Sequence, residues 1–279
     1  MSLAVLFSFA GVFRLPTWRR ELYKRQPALA RGSELFLLAS IPCLFAMFVD
    51  PRTLEGVSVW LKPMKFLISL SVYYATLGWL FGYLPTKLQR RRLGYALICI
   101  PIVVGVLEMS WLITAAIHGV PSHFNDTNLG WQLTYILAGL GAVALVTVIL
   151  IQGILISRNH DIQLPGAFRL ALVLGCVIAS LGTLLVANYI GVLSGPVVGA
   201  ISAGDNTVPF FGWARSAGDL RVAHFWALHA HQLIPLAGWF IVNRASNHAY
   251  LKVCVLSMLY VGLVLGTFIQ ALQGQPFIG

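Results

Sequence analysis

The sequence predicts an all-α fold, a polytopic membrane helix bundle of seven transmembrane helices with its C-terminus outside. Three observations carry this. Hydrophobic residues make up 58% of the 279 positions and charged residues only 10%, where a soluble domain is about a quarter charged. Seven apolar runs approach or reach the roughly 20 residues needed to cross a hydrocarbon layer about 30 Å thick. The basic residues concentrate in alternate loops between those runs. The same shortage of charge excludes a soluble enzyme, a disordered chain and a nucleic-acid-binding module, despite a net charge of +10.

The runs lie at about 34–50, 65–84, 94–117, 131–156, 170–193, 222–242 and 251–272. The first is short and contains Pro42, which a membrane helix tolerates. Before it comes a segment, 1–33, that is apolar over Met1–Phe13 and basic from Arg14 onward. The apolar part is short for a span, and its charges follow it instead of preceding it as in a signal peptide. An eighth, N-terminal helix is the alternative. Fourteen of the nineteen Lys and Arg residues fall in the segment and loops on one side of the runs. Basic loops mark the cytoplasmic side, so the expected setting is the bacterial inner membrane, with loops 118–130 and 191–221 outside. A seven-helix retinal protein is excluded, because run seven holds only Lys252, at its cytoplasmic edge. No repeat or linker divides residues 1–279, which read as one transmembrane domain. Cys43, Cys99, Cys176 and Cys254 lie singly in alternate runs and read as small buried apolar residues.

An ionisable group inside a bilayer costs several kcal/mol, so each is a functional candidate. Run three contains Glu108. Run six contains His224, His229 and His231, with Gln232. At 1.5 Å per residue, Glu108 lies roughly 13 Å and His229 roughly 10 Å below the outer boundary. The four polar groups of run six span an arc of roughly 160°, and Ala223, Trp226, Ala230, Leu233 and Ala237 occupy the other face. Above them stand His118, His123 and Asn125 in one outer loop. The longer loop ends in Trp213, Arg215, Asp219 and Arg221 and is placed to fold as a lid. Lys62 and Lys65 stand at the outer entrance of run two. Plainer readings compete. Glu108 with a histidine makes a packing hydrogen bond, and His231 is a satisfied core group. Lys62 and Lys65 are snorkelling anchors, and Asp219 with Arg221 caps run six.

At these residues the chain resembles a family of bacterial multi-pass membrane proteins with no assigned activity. The resemblance rests on E-x10-G-V-x-S-H-F-N from Glu108 to Asn125, on G-W-x-x-x-x-G-D-L-R-V-x-H-F-x-x-L-H-x-x-Q-x-x-P-L from Gly212 to Leu236, and on W-x-K-P-x-K-F at Trp60–Phe66. It implies that Glu108, His123, Asp219, Arg221, His224, His229 and Gln232 belong to the shared pattern. The chain departs from that pattern at Ala115, His118 and His231, which weakens the two histidines as candidates.

The leading functional expectation is a haem- or metal-binding redox protein. Imidazole and carboxylate suit haem b or a transition metal, with His123, His224 and His229 as ligands and Glu108 as ligand or proton acceptor. The alternatives are a proton-coupled carrier and an intramembrane enzyme acting on a lipid or quinone. In these, Glu108 and His229 act as proton-transfer groups, and Lys62, Lys65, Asn125, Arg215, Asp219, Arg221 and Gln232 bind a small anionic or hydrophobic ligand. The expected partners are the lipid bilayer and a second copy of the chain or a larger membrane complex.

Overall fold

The structure, a computed structural model, describes residues 15–54, 56–125, 127–201, 207–244 and 247–279. The stretch Met1–Phe13, with its eighth-helix alternative, lies outside the described residues. The rest is a polytopic helical bundle. Its elements are α1 (Leu15–Arg25), α2 (Pro27–Val49), the hairpin β1 (Thr53–Leu54) and β2 (Val57–Ser58), α3 (Leu61–Phe81), the short α4 (Thr86–Gln89), α5 (Arg92–His118), α6 (Leu129–Ser157), α7 (Gly166–Val192), the antiparallel pair β3 (Val197–Val198) and β4 (Gly218–Asp219), α8 (Leu220–Asn243) and α9 (Ala249–Leu272). Seven of the described helices, α2, α3 and α5 to α9, are long and apolar enough to cross a membrane.

The first span is longer than the apolar run suggested. Gln26 caps it, its side-chain oxygen accepting from Ala28 N at 2.7 Å, and Pro27 takes the first helical position, where its fixed φ is already helical. The helix therefore starts seven residues before the apolar run and reaches 23 residues, about 35 Å. Much of its surface is open: Leu35, Leu38, Phe45 and Phe48 are all exposed. Apolar side chains in such numbers on the outside of a helix face lipid.

The chain divides into two compact units, Met1–Val148 and Ile149–Gly279, with α6 passing from one to the other. In the first unit Tyr74 of α3 is the main wedge. Only 1% exposed, it donates its hydroxyl to Pro101 O of α5 at 2.5 Å. Its ring packs against Gly32 of α2, and its phenolic oxygen occupies the space a side chain on Gly105 would need. Tyr73 donates to Leu145 O of α6 at 2.8 Å. These contacts fix α5, which carries Glu108, beside α3, which carries Lys62.

Two details bring the loop after α5 back over its own helix. Gly119 ends α5 at φ +66°, and Val120 N returns to Ala115 O, closing the helix with a left-handed residue. Arg52 then donates to Ile117 O at 2.7 Å while bound to Asp50. Asp50 also accepts from the Trp60 indole at 2.8 Å, which pins the start of α3 to the same corner. The hydrogen bonds from Arg52 and Trp60 hold the Asp50 carboxyl well below the ordinary carboxylate range.

In the second unit α7 and α8 pack through small residues. Ala171 and Ala179 of α7 and Ala223, Ala227 and Ala230 of α8 are fully buried. Gly238 sits where a Cβ would come within 2.3 Å of the Ala171 methyl. This is the close approach that small side chains permit between membrane helices. Val186, Leu220, Ala223, Phe268 and Ala271 make a core shared by α7, α8 and α9. The described part of the 191–221 loop is ordered by two devices. β3 pairs with β4, with Val197 opposite Asp219, and Trp213 stacks on Phe211 at 4.4 Å and meets Phe225 of α8 edge-on.

Candidate functional site

The polar candidates gather in two clusters, one in each unit.

In the first unit His123 is the centre. Its ring stacks on Trp111 of α5 (centroids 4.9 Å, 23° between planes) and leans on Tyr135 of α6 and Phe66 of α3. Phe124 at φ +55° turns the chain immediately after it. Lys62 Nζ lies 3.0 Å from His123 Nδ1, and the Ser122 hydroxyl lies 3.2 Å from the same nitrogen. An ammonium has only donors, so Nδ1 accepts and the ring proton sits on Nε2. Burial, and secondarily the Lys62 charge, push the pKa of His123 down to about 3. The imidazole is therefore neutral near pH 7. The Lys62 charge also acts on the Glu108 carboxyl. Trp111, 8% exposed, has an indole N–H with no hydrogen-bond partner among the described residues. The cluster thus offers three kinds of donor (Lys62 Nζ, His123 Nε2–H and Trp111 Nε1–H) in an aromatic surround, with the Glu108 carboxyl within electrostatic reach of Lys62. With Lys62 as an ammonium, this geometry leaves His123 Nε2–H as a hydrogen-bond donor.

In the second unit the polar face of α8 is a hydrogen-bonded chain. His231, 1% exposed, places Nδ1 2.6 Å from Leu228 O, which can only accept. Its Nδ1 therefore carries the proton and its Nε2 is a lone pair. Gln232 Nε2 lies 3.0 Å from that lone pair and must donate to it. This turns the Gln232 carbonyl oxygen toward His229 Nδ1, 3.2 Å away, which donates in turn. The proton of His229 is thereby held on Nδ1, leaving Nε2 unprotonated. One turn earlier, His224 Nδ1 is buried without a partner among the described residues.

Asp219 and Arg221 take the capping role. Asp219 is the N-cap of α8, accepting from Arg221 N at 3.0 Å and from Ala214 N at 2.9 Å. Arg221 binds the same carboxylate at 2.6 Å and donates to Gly212 O. The pair ties the end of the long loop to the helix. Asn125 is likewise spent on its own loop, bonding Pro121 O and the Thr127 hydroxyl. Lys65 and Arg215 are half-buried. His118 points its Nδ1 at Thr114 O, within its own helix.

Of the expected metal set, His123 belongs to the first unit and His224 and His229 to the second. Among the described residues no group of three or more His, Cys, Asp or Glu side chains is placed to share a metal ion. Sequence reasoning did not single out Trp111, Tyr135, Asp50 or Arg52. Apolar and loop residues of these types occur throughout the chain, and only folding selects them. Asp50, ten residues before the W-x-K-P segment, is brought to it only by the fold. No protein-family model, curated protein or solved structure matches the chain.

Proposed function

We propose that the chain is a multi-pass membrane carrier that couples a proton to a small organic anion through the cluster around His123. The observation that carries this reading is the set of donors on Lys62, His123 and Trp111, with one acidic group of a candidate span, Glu108, within electrostatic reach of Lys62. A carboxylate or phosphate entering there accepts from the indole N–H, which has no partner among the described residues, and adds an acceptor to those Lys62 already has. An ionised Glu108 competes with such an anion for Lys62. A proton on Glu108 removes the competition, so proton and anion favour each other's binding. His123 stays neutral throughout and holds Lys62 in place. A charge-assisted hydrogen bond contributes about 1.5–3 kcal/mol, enough to make the exchange between Glu108 and the anion decisive.

The test is uptake by liposomes holding the full-length chain, with an imposed proton gradient and a panel of mono- and dicarboxylates and phosphate monoesters. Gradient-driven uptake of at least one class is the expected result. K62Q loses uptake by about tenfold or more, the effect of one charged hydrogen bond. E108Q retains anion exchange but loses its dependence on the gradient. Absence of gradient-driven uptake across the panel defeats the proposal.

One observation favours a second reading. The unprotonated Nε2 of His229 suits an axial haem ligand, which needs one imidazole and no cluster of ligands. A Soret band that shifts on dithionite reduction of haem-replete protein, and is lost in H229A, supports it; a flat spectrum removes it.

A further inference from the structure

A basic patch lies at the other end of the first unit, on α1. The sequence of this helix sets two ladders side by side at i, i+4 spacing: Arg19 over Tyr23, and Arg20 over Lys24. Residues four apart on a helix are neighbours, so the four form one patch. They line an open concavity of about 550 Å³. One wall is fixed. Arg19 binds both oxygens of Glu34 on α2, at 2.5 and 3.1 Å, and Tyr23 donates to the same carboxylate at 2.8 Å. Arg20 and Lys24 are exposed. The opposite face of α1 is anchored: Leu22 is 3% exposed, and Arg25 donates to Trp79 O at 3.0 Å while its guanidinium lies over the Trp79 and Tyr83 rings. The patch is therefore presented outward on a helix that is held rigidly.

Its level follows from its neighbours. α1 docks where the candidate span α2 begins and the candidate span α3 ends, which is the depth of the headgroups. Trp18 is partly exposed beside it, as interfacial tryptophans are. One residue beyond Glu34, the exposed Leu35 and then Leu38 start an open apolar flank along α2. We infer that this patch binds the phosphate of an anionic phospholipid, with Arg20 and Lys24 as its cations and the acyl chains lying along the α2 flank. A free phosphate has the same charge complementarity but no use for the adjoining apolar strip, so the lipid is the occupant the surface fits. A basic residue near an anionic surface strengthens binding by about fivefold, and two of them act here.

The test uses the delipidated full-length chain in mixed micelles holding equal amounts of phosphatidylglycerol and phosphatidylcholine. Retained lipids are counted by native mass spectrometry, and thermal stability is measured with each lipid and with inorganic phosphate. The expected result is preferential retention of phosphatidylglycerol. That preference falls by about tenfold or more in R20Q/K24Q, survives in the charge-conserving R20K/K24R, and is unchanged in R158Q/R244Q, which removes two exposed charges elsewhere. Unaltered selectivity in R20Q/K24Q overturns the inference. So does stabilisation by inorganic phosphate equal to that by phosphatidylglycerol.

Discussion

A neutral histidine pressed against an ammonium makes the fold sensitive to acid in a defined direction. His123 titrates near 6.5 in an unfolded chain and near 3 when folded. Between those values the unfolded state binds the extra proton, so stability rises with pH. It is complete above about pH 6.5 and is lost progressively as the pH falls toward 3. The expected outcome is a melting temperature in detergent that drops between pH 7 and pH 4, with a shallower drop in H123Q. Parallel curves contradict the assignment. The second unit offers a different test at the same scale. The chain from Leu228 O through His231 and Gln232 fixes the His229 tautomer. Nitrogen-15 NMR of histidine-labelled protein is expected to place the His229 proton on Nδ1, and Q232L is expected to release it to a tautomer mixture. His231 is buried and satisfied, as the plainer reading of the sequence had it, and it also anchors this chain. Residue types at Lys62, Glu108, His123, His229 and Gln232 were legible in the sequence because polar groups beside or within apolar runs stand out. Their partners were not. The Lys62–His123 contact joins positions 61 residues apart, and no local pattern encodes which helix packs on which.

Among the elements, α8 shows how much one cap carries. Asp219 is fully buried and serves four donors, on Ala214, on the Arg221 backbone and on the Arg221 guanidinium. Loss of an N-cap costs about 0.5–2 kcal/mol, and a buried amide left without its acceptor costs about 1–3 kcal/mol more. D219A is therefore expected to destabilise the chain by about 1.5–5 kcal/mol, read as a lowered thermal midpoint in detergent. D219N keeps one acceptor oxygen and is expected to fall between. A D219A protein that melts like the wild type shows that the loop holds α8 by other means. The apolar run predicted the body of α8 and missed its first two residues and its last, Asn243. At α2 it missed seven, because the Gln26 cap and Pro27 start the helix ahead of Arg31, Gly32 and Ser33, which interrupt the apolar run. Helix ends are written in capping chemistry, and hydropathy does not read it.

For the molecule as a whole, the pattern of charge and the order of the spans make one joint prediction about sidedness. Seven apolar helices, with large side chains such as Leu35, Phe48, Leu137, Met258 and Leu259 open on their surfaces, require a bilayer around them. Each span that crosses reverses the side of the next loop. Residue 90 and residue 128 are separated by α5 alone, residue 128 and residue 158 by α6, and residue 158 and residue 215 by α7. Loops 85–91 and 158–165 must then share one side, and loops 119–128 and 193–219 the other. By the rule that basic loops stay in the cytoplasm, the basic excess around Arg90 and Arg158, against the Lys- and Arg-free stretch 118–130, predicts that the first pair is cytoplasmic. Single cysteines placed at positions 90, 128, 158 and 215, in a chain whose four native cysteines have been replaced, report this through a membrane-impermeant maleimide. Positions 128 and 215 are expected to label in intact spheroplasts, and positions 90 and 158 only after lysis. A swapped pair reverses the orientation and puts the Lys62–His123 cluster on the cytoplasmic side, so that the carrier takes up its proton there. A single discordant position identifies a helix that is apolar yet does not cross, and the bundle then has fewer than seven spans.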